Sequence, residues 1–239
     1  MKYFELKCTA YLKKNIDFKD SFEILSKYIS FSMAQVEELK ELHNSRGYKF
    51  YNFGNFYPIE KAKIYKMGNS YEFTLRSPNE KLIEILSTTL RENINNPNFL
   101  VVTTQKKSIK QFFISELYSL TPVIISTQNK KFWTIDEDGD ILKLQRQLQD
   151  NLEKKYQKFY NTKINSTQNF IQLLEIKNIH KQRIWTSKGD KSFCFFGNKF
   201  RIVPNEDEIS QKIAFMALAC GLGEKNSFGA GFCLGKGIR

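Results

Sequence analysis

Acid–base chemistry has few places to occur in this chain. Its 239 residues contain two histidines, His43 and His180. An imidazole ordinarily titrates near ~6.5, so it can give or take a proton at neutral pH. His43 stands in "KELHNSRGYKFYNF", at the end of a helical pattern, with Lys49 six residues on, across a turn at Gly47. A histidine there can also serve only the helix dipole. His180, in "KNIHKQRIW", sits between basic residues and reads as a surface or polyanion-contact position. The four cysteines, Cys8, Cys194, Cys220 and Cys233, form no C-x-x-C pair and lie in apolar runs. They read as reduced core residues, and no metal site or cofactor is expected.

A second feature stands near the C-terminus. "CGLGEKNSFGAGFCLGKG" holds six of the chain's 12 glycines in 18 residues. Within it Gly221, Gly223, Gly229 and Gly231 form G-x-G, five residues, G-x-G, and the insert carries Lys225, Asn226 and Ser227. The P-loop and dinucleotide fingerprints do not fit, since a helix precedes this stretch and a strand follows it. Glycines after a helix can let a partner's backbone come close, or turn successive N–H groups toward phosphate oxygens. A helix cap followed by a bulged strand would account for one or two of them, but not for six with a polar insert.

The elements that must position these residues follow from periodicity. "YFELKCTAYL" alternates as a strand. "DSFEILSKYISFSMAQVEELKELH" is helical, with Asp20 and Glu23 as a capping box at its start. "YKFYNFGNFYPI", "KAKIYKM" and "SYEFTLRS" are strands, "NEKLIEILSTTLRENI" a helix and "FLVVTTQ" a strand. The order is β-α-β-β-α-β. It then begins again: strands at "QFFISELYSLTPVIIST" and "KFWTID", a helix at "ILKLQRQLQDNLEKKYQKFY", paired strands at "FIQLLEIKNI" and "KSFCFFGNKFRIVP", a helix at "DEISQKIAFMALACGLG" and a last strand at "GAGFCLGKGI". The expected fold is α+β, two tandem ferredoxin-like (RRM-like) domains, residues 1–115 and 116–239. Lys and Arg number 37 against 25 Asp and Glu, a net charge of +12, which points to a polyanionic partner. No apolar run approaches the ~18 residues of a membrane span, and "MKYFELKC" is strand-like rather than a signal peptide. A cytoplasmic protein without a membrane partner is expected.

"GLGEKNSFGAG" resembles the C-terminal glycine-rich motif of the CRISPR-associated endoribonucleases that process repeat RNA, members of the repeat-associated mysterious protein superfamily. That family is similar in length and built from two ferredoxin-like domains. The resemblance implies a catalytic role for His43, with Lys49 and Tyr28 beside it, and RNA binding by Gly221, Gly223, Lys225, Asn226, Ser227, Gly229 and Gly231. It implies metal-independent cleavage of CRISPR repeat RNA by the RNA's own 2′-hydroxyl, leaving a 2′,3′-cyclic phosphate and a 5′-hydroxyl. Repeat RNA is the implied partner, with other CRISPR effector subunits after it, and the protein is a monomer or homodimer. Two other readings stay open: an inactive RNA-binding member of the superfamily, and an enzyme for a phosphate ligand. Tyr28 and His43 lie 15 residues apart, about 22 Å along an unbroken helix. A shared site therefore requires a break, expected at Ser30–Ser32, where Ser32 and Gln35 spell a second capping box.

Overall fold

The structure is a computed structural model that describes residues 1–44, 47–127 and 131–238; the side chains of residues 42–44, 188 and 238 also lie outside it. Strict alternation makes Lys2–Leu12 a strand, β1, with Phe4, Leu6, Cys8, Ala10 and Leu12 all buried on one face. Next come β2 (Ile16–Asp17), α1 (Phe18–Ala34), α2 (Glu37–Asn44), β3 (Asn52–Phe53), β4 (Ile64–Tyr65), β5 (Ser70–Ser77), α3 (Glu80–Glu92) and β6 (Phe99–Lys110). The sheet runs β3-β5-β1-β6, antiparallel throughout. Leu25 and Ile29 of α1 and Leu82, Leu86 and Leu90 of α3 close its core. Asn79 caps α3 by accepting the Leu82 N–H at 3.2 Å.

The second half contains β7 (Phe113–Ser119), α4 (Ile141–Tyr160), β8 (Ile171–Ile176), β9 (Gln182–Lys188), β10 (Lys191–Gly197), β11 (Phe200–Pro204), α5 (Glu208–Cys220) and β12 (Cys233–Ile238). Its sheet, β12-β7-β11-β8, puts β8, β11, β7 and β12 in the places of β3, β5, β1 and β6. The chain is thus α+β, with two tandem ferredoxin-like domains. α5 is buried along all of Ile213–Cys220, because it packs on its own sheet and also meets the first domain, where Phe215 lies 5.1 Å from the Tyr3 ring. Arg76 of β5 ties the halves from the other side: its guanidinium donates to the Cys233 carbonyl, pairs with Glu5 at 2.8 Å and covers the Phe232 ring. No helix among the described residues is long and apolar enough to cross a membrane.

Several expectations need correction. β6 and β7 are separated by Gln111 and Phe112 alone, so the sheets part there and Ser115 lies inside β7. "KFWTID" makes only an isolated bridge at Phe132, and "KSFCFFGNKFRIVP" is two strands in two sheets. The strand β9 was hidden in a lysine-rich stretch without clean alternation; with β10 it forms a hairpin inserted between β8 and β11 that docks on α1, where Lys27 donates to Ser187 at 2.9 Å. The long first helix does break, but at Gln35–Val36. Ser32 is no cap: it is fully buried inside α1, and its hydroxyl donates to the Tyr28 carbonyl one turn back. Asp20 lies in the first turn of α1, and the N-cap position is Asp17.

Candidate active site

A cavity of about 770 Å³ lies between the domains and has three walls. The first is the segment 47–51 that leaves α2. The second is one face of α4, with Gln147, Asn151, Lys154, Lys155 and Lys158. The third is the glycine-rich turn after α5, from Gly223 to Phe228. Among the described residues five lysines line it (Lys49, Lys154, Lys155, Lys158 and Lys225) against two acids, Asp150 and Glu224. The Glu224 carboxylate is engaged, accepting from the Ser126 N–H and hydroxyl at 3.1 and 2.7 Å. The balance of charge on these walls attracts a polyanion.

Of the residues expected at the chemistry, Lys49 lines this cavity and His43 precedes it on the same stretch of chain. Lys49 is half-buried there, and burial draws its ammonium below the usual lysine range. His43 sits on the last turn of α2; its side chain lies outside the described residues. Gly47, four residues on, already lines the cavity, so the His43 Cα lies within about 14 Å of that wall, the reach of four extended residues. Tyr48 follows at the wall, with the Lys155 and Lys158 ammonium groups each 6.0 Å from its ring centre.

Tyr28, expected beside them, does not line the cavity. The side chain is fully buried in the first domain, stacked on Phe99 at 4.2 Å. Its hydroxyl is consumed by the fold, donating to the Leu90 carbonyl at 2.6 Å and accepting the Val101 N–H at 3.3 Å. Burial pushes its pKa up to about 12, and it borders no part of the cavity. The helix break between Tyr28 and His43 leaves Tyr28 facing the core because it falls on the apolar stripe of α1 with Leu25 and Ile29.

The glycine-rich turn is shaped from inside. Gly221, Gly223, Gly229 and Gly231 all have positive φ, from 64° to 85°. A Cβ on Gly223 would come 2.5 Å from the Ile124 carbonyl oxygen, one on Gly229 would strike Phe22, and one on Gly231 would meet the Leu222 carbonyl oxygen at 1.9 Å. All four are buried, and the close approach they permit is to this protein's own atoms, among them the Ile124 and Leu222 carbonyls and the Phe22 ring; Gly223 also lines the cavity. Asn226 is likewise turned inward, donating to the Leu222 and Ala230 carbonyls at 3.0 and 2.9 Å. Lys225 and Ser227 remain half-buried on the cavity wall, Lys225 in a left-handed conformation at φ 57°.

This gives a measurable contrast. Gly68, at φ 81°, has open space where a Cβ would go, so Gly68→Ala should cost only the left-handed strain of about 1–2 kcal/mol. Gly231→Ala adds a backbone collision to that strain and should lower the melting temperature further, each additional kcal/mol being worth roughly 2–4 °C in a chain of this size. Equal melting temperatures for the two variants would refute the packing described for the turn.

The α4 wall was missed from sequence. A signal was present: Gln147, Asn151, Lys154 and Lys158 recur at helical spacing on one side of α4, beside the stripe of Leu144, Leu148 and Leu152.

A family model described as CRISPR associated protein Cas6, C-terminal, matches residues 103–234. CRISPR-associated endoribonuclease Cas6 2 of Methanocaldococcus jannaschii is 26% identical over 231 residues, covering 89% of this chain and 92% of the relative. Among solved structures, a CRISPR associated protein Cas6 superposes with a TM-score of 0.71 at 23% identity, covering 98% of this chain and 99% of the other. A RAMP protein described as binding different RNA substrates superposes at 0.68 with 18% identity, covering 98% and 99%. Since the family match spans more than half of the sequence and holds α4, α5 and the glycine-rich turn, this chain belongs to the CRISPR-associated Cas6 family.

Proposed function

We propose that this protein is a metal-independent endoribonuclease that cuts CRISPR repeat RNA into guide units within the cytoplasm. The observation that carries the reading is the interdomain cavity, where a lysine-rich wall, Lys49 and the approach from His43 converge on the glycine-rich turn. RNA supplies its own nucleophile, the 2′-hydroxyl beside the scissile phosphate. Three tasks remain for protein groups: take the proton from that hydroxyl, stabilise the charge that builds on the phosphorane, and return a proton to the departing 5′-oxygen. His43 is assigned proton transfer, which an imidazole can perform in either direction near neutral pH. Lys49 is assigned charge stabilisation; partial withdrawal from water strengthens its field at the reacting phosphate. Lys154, Lys158, Lys225 and Ser227 are assigned to hold the RNA backbone, a sequence-independent role that sets position.

The test is incubation of the purified protein with RNA bearing the CRISPR repeat of its own genome, with and without EDTA, followed by analysis of both new ends. The upstream product should end in a 2′,3′-cyclic phosphate, or the 3′-phosphate it decays to. The downstream product should begin with a 5′-hydroxyl, and EDTA should change neither rate nor ends. A 5′-phosphate, or inhibition by EDTA, would reject the mechanism. Tight binding without cleavage would favour an RNA-binding member of the family that has no nuclease activity.

A further inference from the structure

The glycine-rich turn rests on one buried cation. Lys155, on α4, is 2% exposed. Its ammonium donates to the Gly221 carbonyl at 2.8 Å, the Gly223 carbonyl at 2.7 Å and the Asn226 Oδ1 at 2.8 Å. Three N–H groups meet three oxygens, so the donor capacity of the ammonium is used up. None of the three acceptors is a carboxylate. A buried lysine charge is costly unless its hydrogen bonds are complete, and here they are completed by the turn alone. The dependence is mutual. Left-handed glycines aim the 221 and 223 carbonyls inward, where without Lys155 they would be buried acceptors lacking this donor. Through Asn226 the same ammonium reaches the far side of the turn, since the Asn226 amide holds the Leu222 and Ala230 carbonyls.

We infer that Lys155 is a positioning residue: its charged ammonium acts as the internal ion around which the glycine-rich turn closes, and so sets where Lys225 and Ser227 meet the RNA. This rests on the RNA-processing reading for its functional consequence, but not for its structural one. Because its donors are saturated, Lys155 does not itself contact phosphate, unlike Lys154 and Lys158 on the open part of the same wall.

The ionisation of Lys155 is within experimental reach. Burial lowers its pKa to about 8. The groups facing it are Cys220 of α5 and Cys233 of β12, both pushed up to about 12 by burial, Tyr48, which is raised, and Glu224 of the turn; Lys158 of α4 shares the Tyr48 ring with it. The thiols therefore keep their protons through the window in which Lys155 loses its own.

The experiment has two arms on the full-length protein. In the first, wild-type protein is titrated by NMR while the Lys155 Nζ resonance and the backbone amides of Leu222 to Ala230 are followed. The turn amides should shift together with the Lys155 midpoint, wherever that midpoint falls; amides that stay fixed as Lys155 loses its proton would overturn the inference. In the second, Lys155→Met, checked for folding by its melting curve, is compared with wild type. Amide protection in the turn should fall, and repeat-RNA cleavage should drop by about 10²-fold, the scale expected when groups shift by ~1 Å. Unchanged turn protection in a folded Lys155→Met would overturn it as well. Wild-type protein that neither binds nor cuts repeat RNA would reject the endoribonuclease reading while both turn measurements still decide the role of Lys155.

Discussion

A single 2′-deoxy substitution just upstream of the cut should abolish cleavage. The proposed reaction has no other nucleophile: the 2′-oxygen forms the new bond to phosphorus as the 5′-oxygen leaves. Affinity should hardly move, because the lysines that line the cavity act on phosphates and the remaining 2′-hydroxyls are intact. The measurement is single-turnover cleavage of matched RNAs, with binding measured in parallel. Undiminished cleavage of the deoxy substrate would mean that water attacks, and would remove the roles given to both His43 and Lys49.

His43→Ala should slow the chemical step by ~10²-fold or more, the usual contribution of a positioned general acid or base. The loss should appear in single-turnover rates while the dissociation constant stays near that of wild type. The pH–rate profile should also lose the limb that this group supplies as general acid or base. Tyr28→Phe is a useful companion: its hydroxyl serves the Leu90 and Val101 backbone, so it should lower stability and leave the chemical step alone. A rate unchanged in His43→Ala would turn attention to His180 or to positioning alone.

Most of the architecture was legible from periodicity. β1 and β5 alternate cleanly, and α3 and α4 carry unbroken apolar stripes, so their limits read true to within a residue or two. The failures have physical causes. β3 is two residues long because Tyr51–Phe56 is buried mainly by packing around the glycine-rich turn and the first core, so an aromatic run looked like a longer strand. β10 and β11 were fused because Gly197 marks the switch between sheets: a Cβ there would lie 2.1 Å from the Val123 carbonyl oxygen, a contact made 74 positions away in sequence. At the site, Lys49 was named through the family resemblance, and it lines the cavity. Tyr28 was named through the same resemblance, although its place on the apolar stripe with Leu25 and Ile29 already pointed to the core. Lys155 was invisible because a lysine in "LEKKYQK" reads as solvated, and only the fold brings the Gly221 and Gly223 carbonyls to it.

The glycine-rich turn touches everything at once. It lines the cavity, Gly229 lies against Phe22 of α1, the Ser227 carbonyl takes the Ser26 hydroxyl at 2.9 Å, and the Glu224 N–H is bound by the Ile124 carbonyl at 2.7 Å. A change of residue there is therefore judged twice, once by the ligand and once by the weld between domains. The exposed α4 lysines Lys154 and Lys158 carry less of that double duty than Lys155, which holds the turn itself. Drift toward a different repeat is thus cheapest at exposed α4 positions such as Lys154 and Lys158, and the turn is left as the fixed jaw against which they can vary.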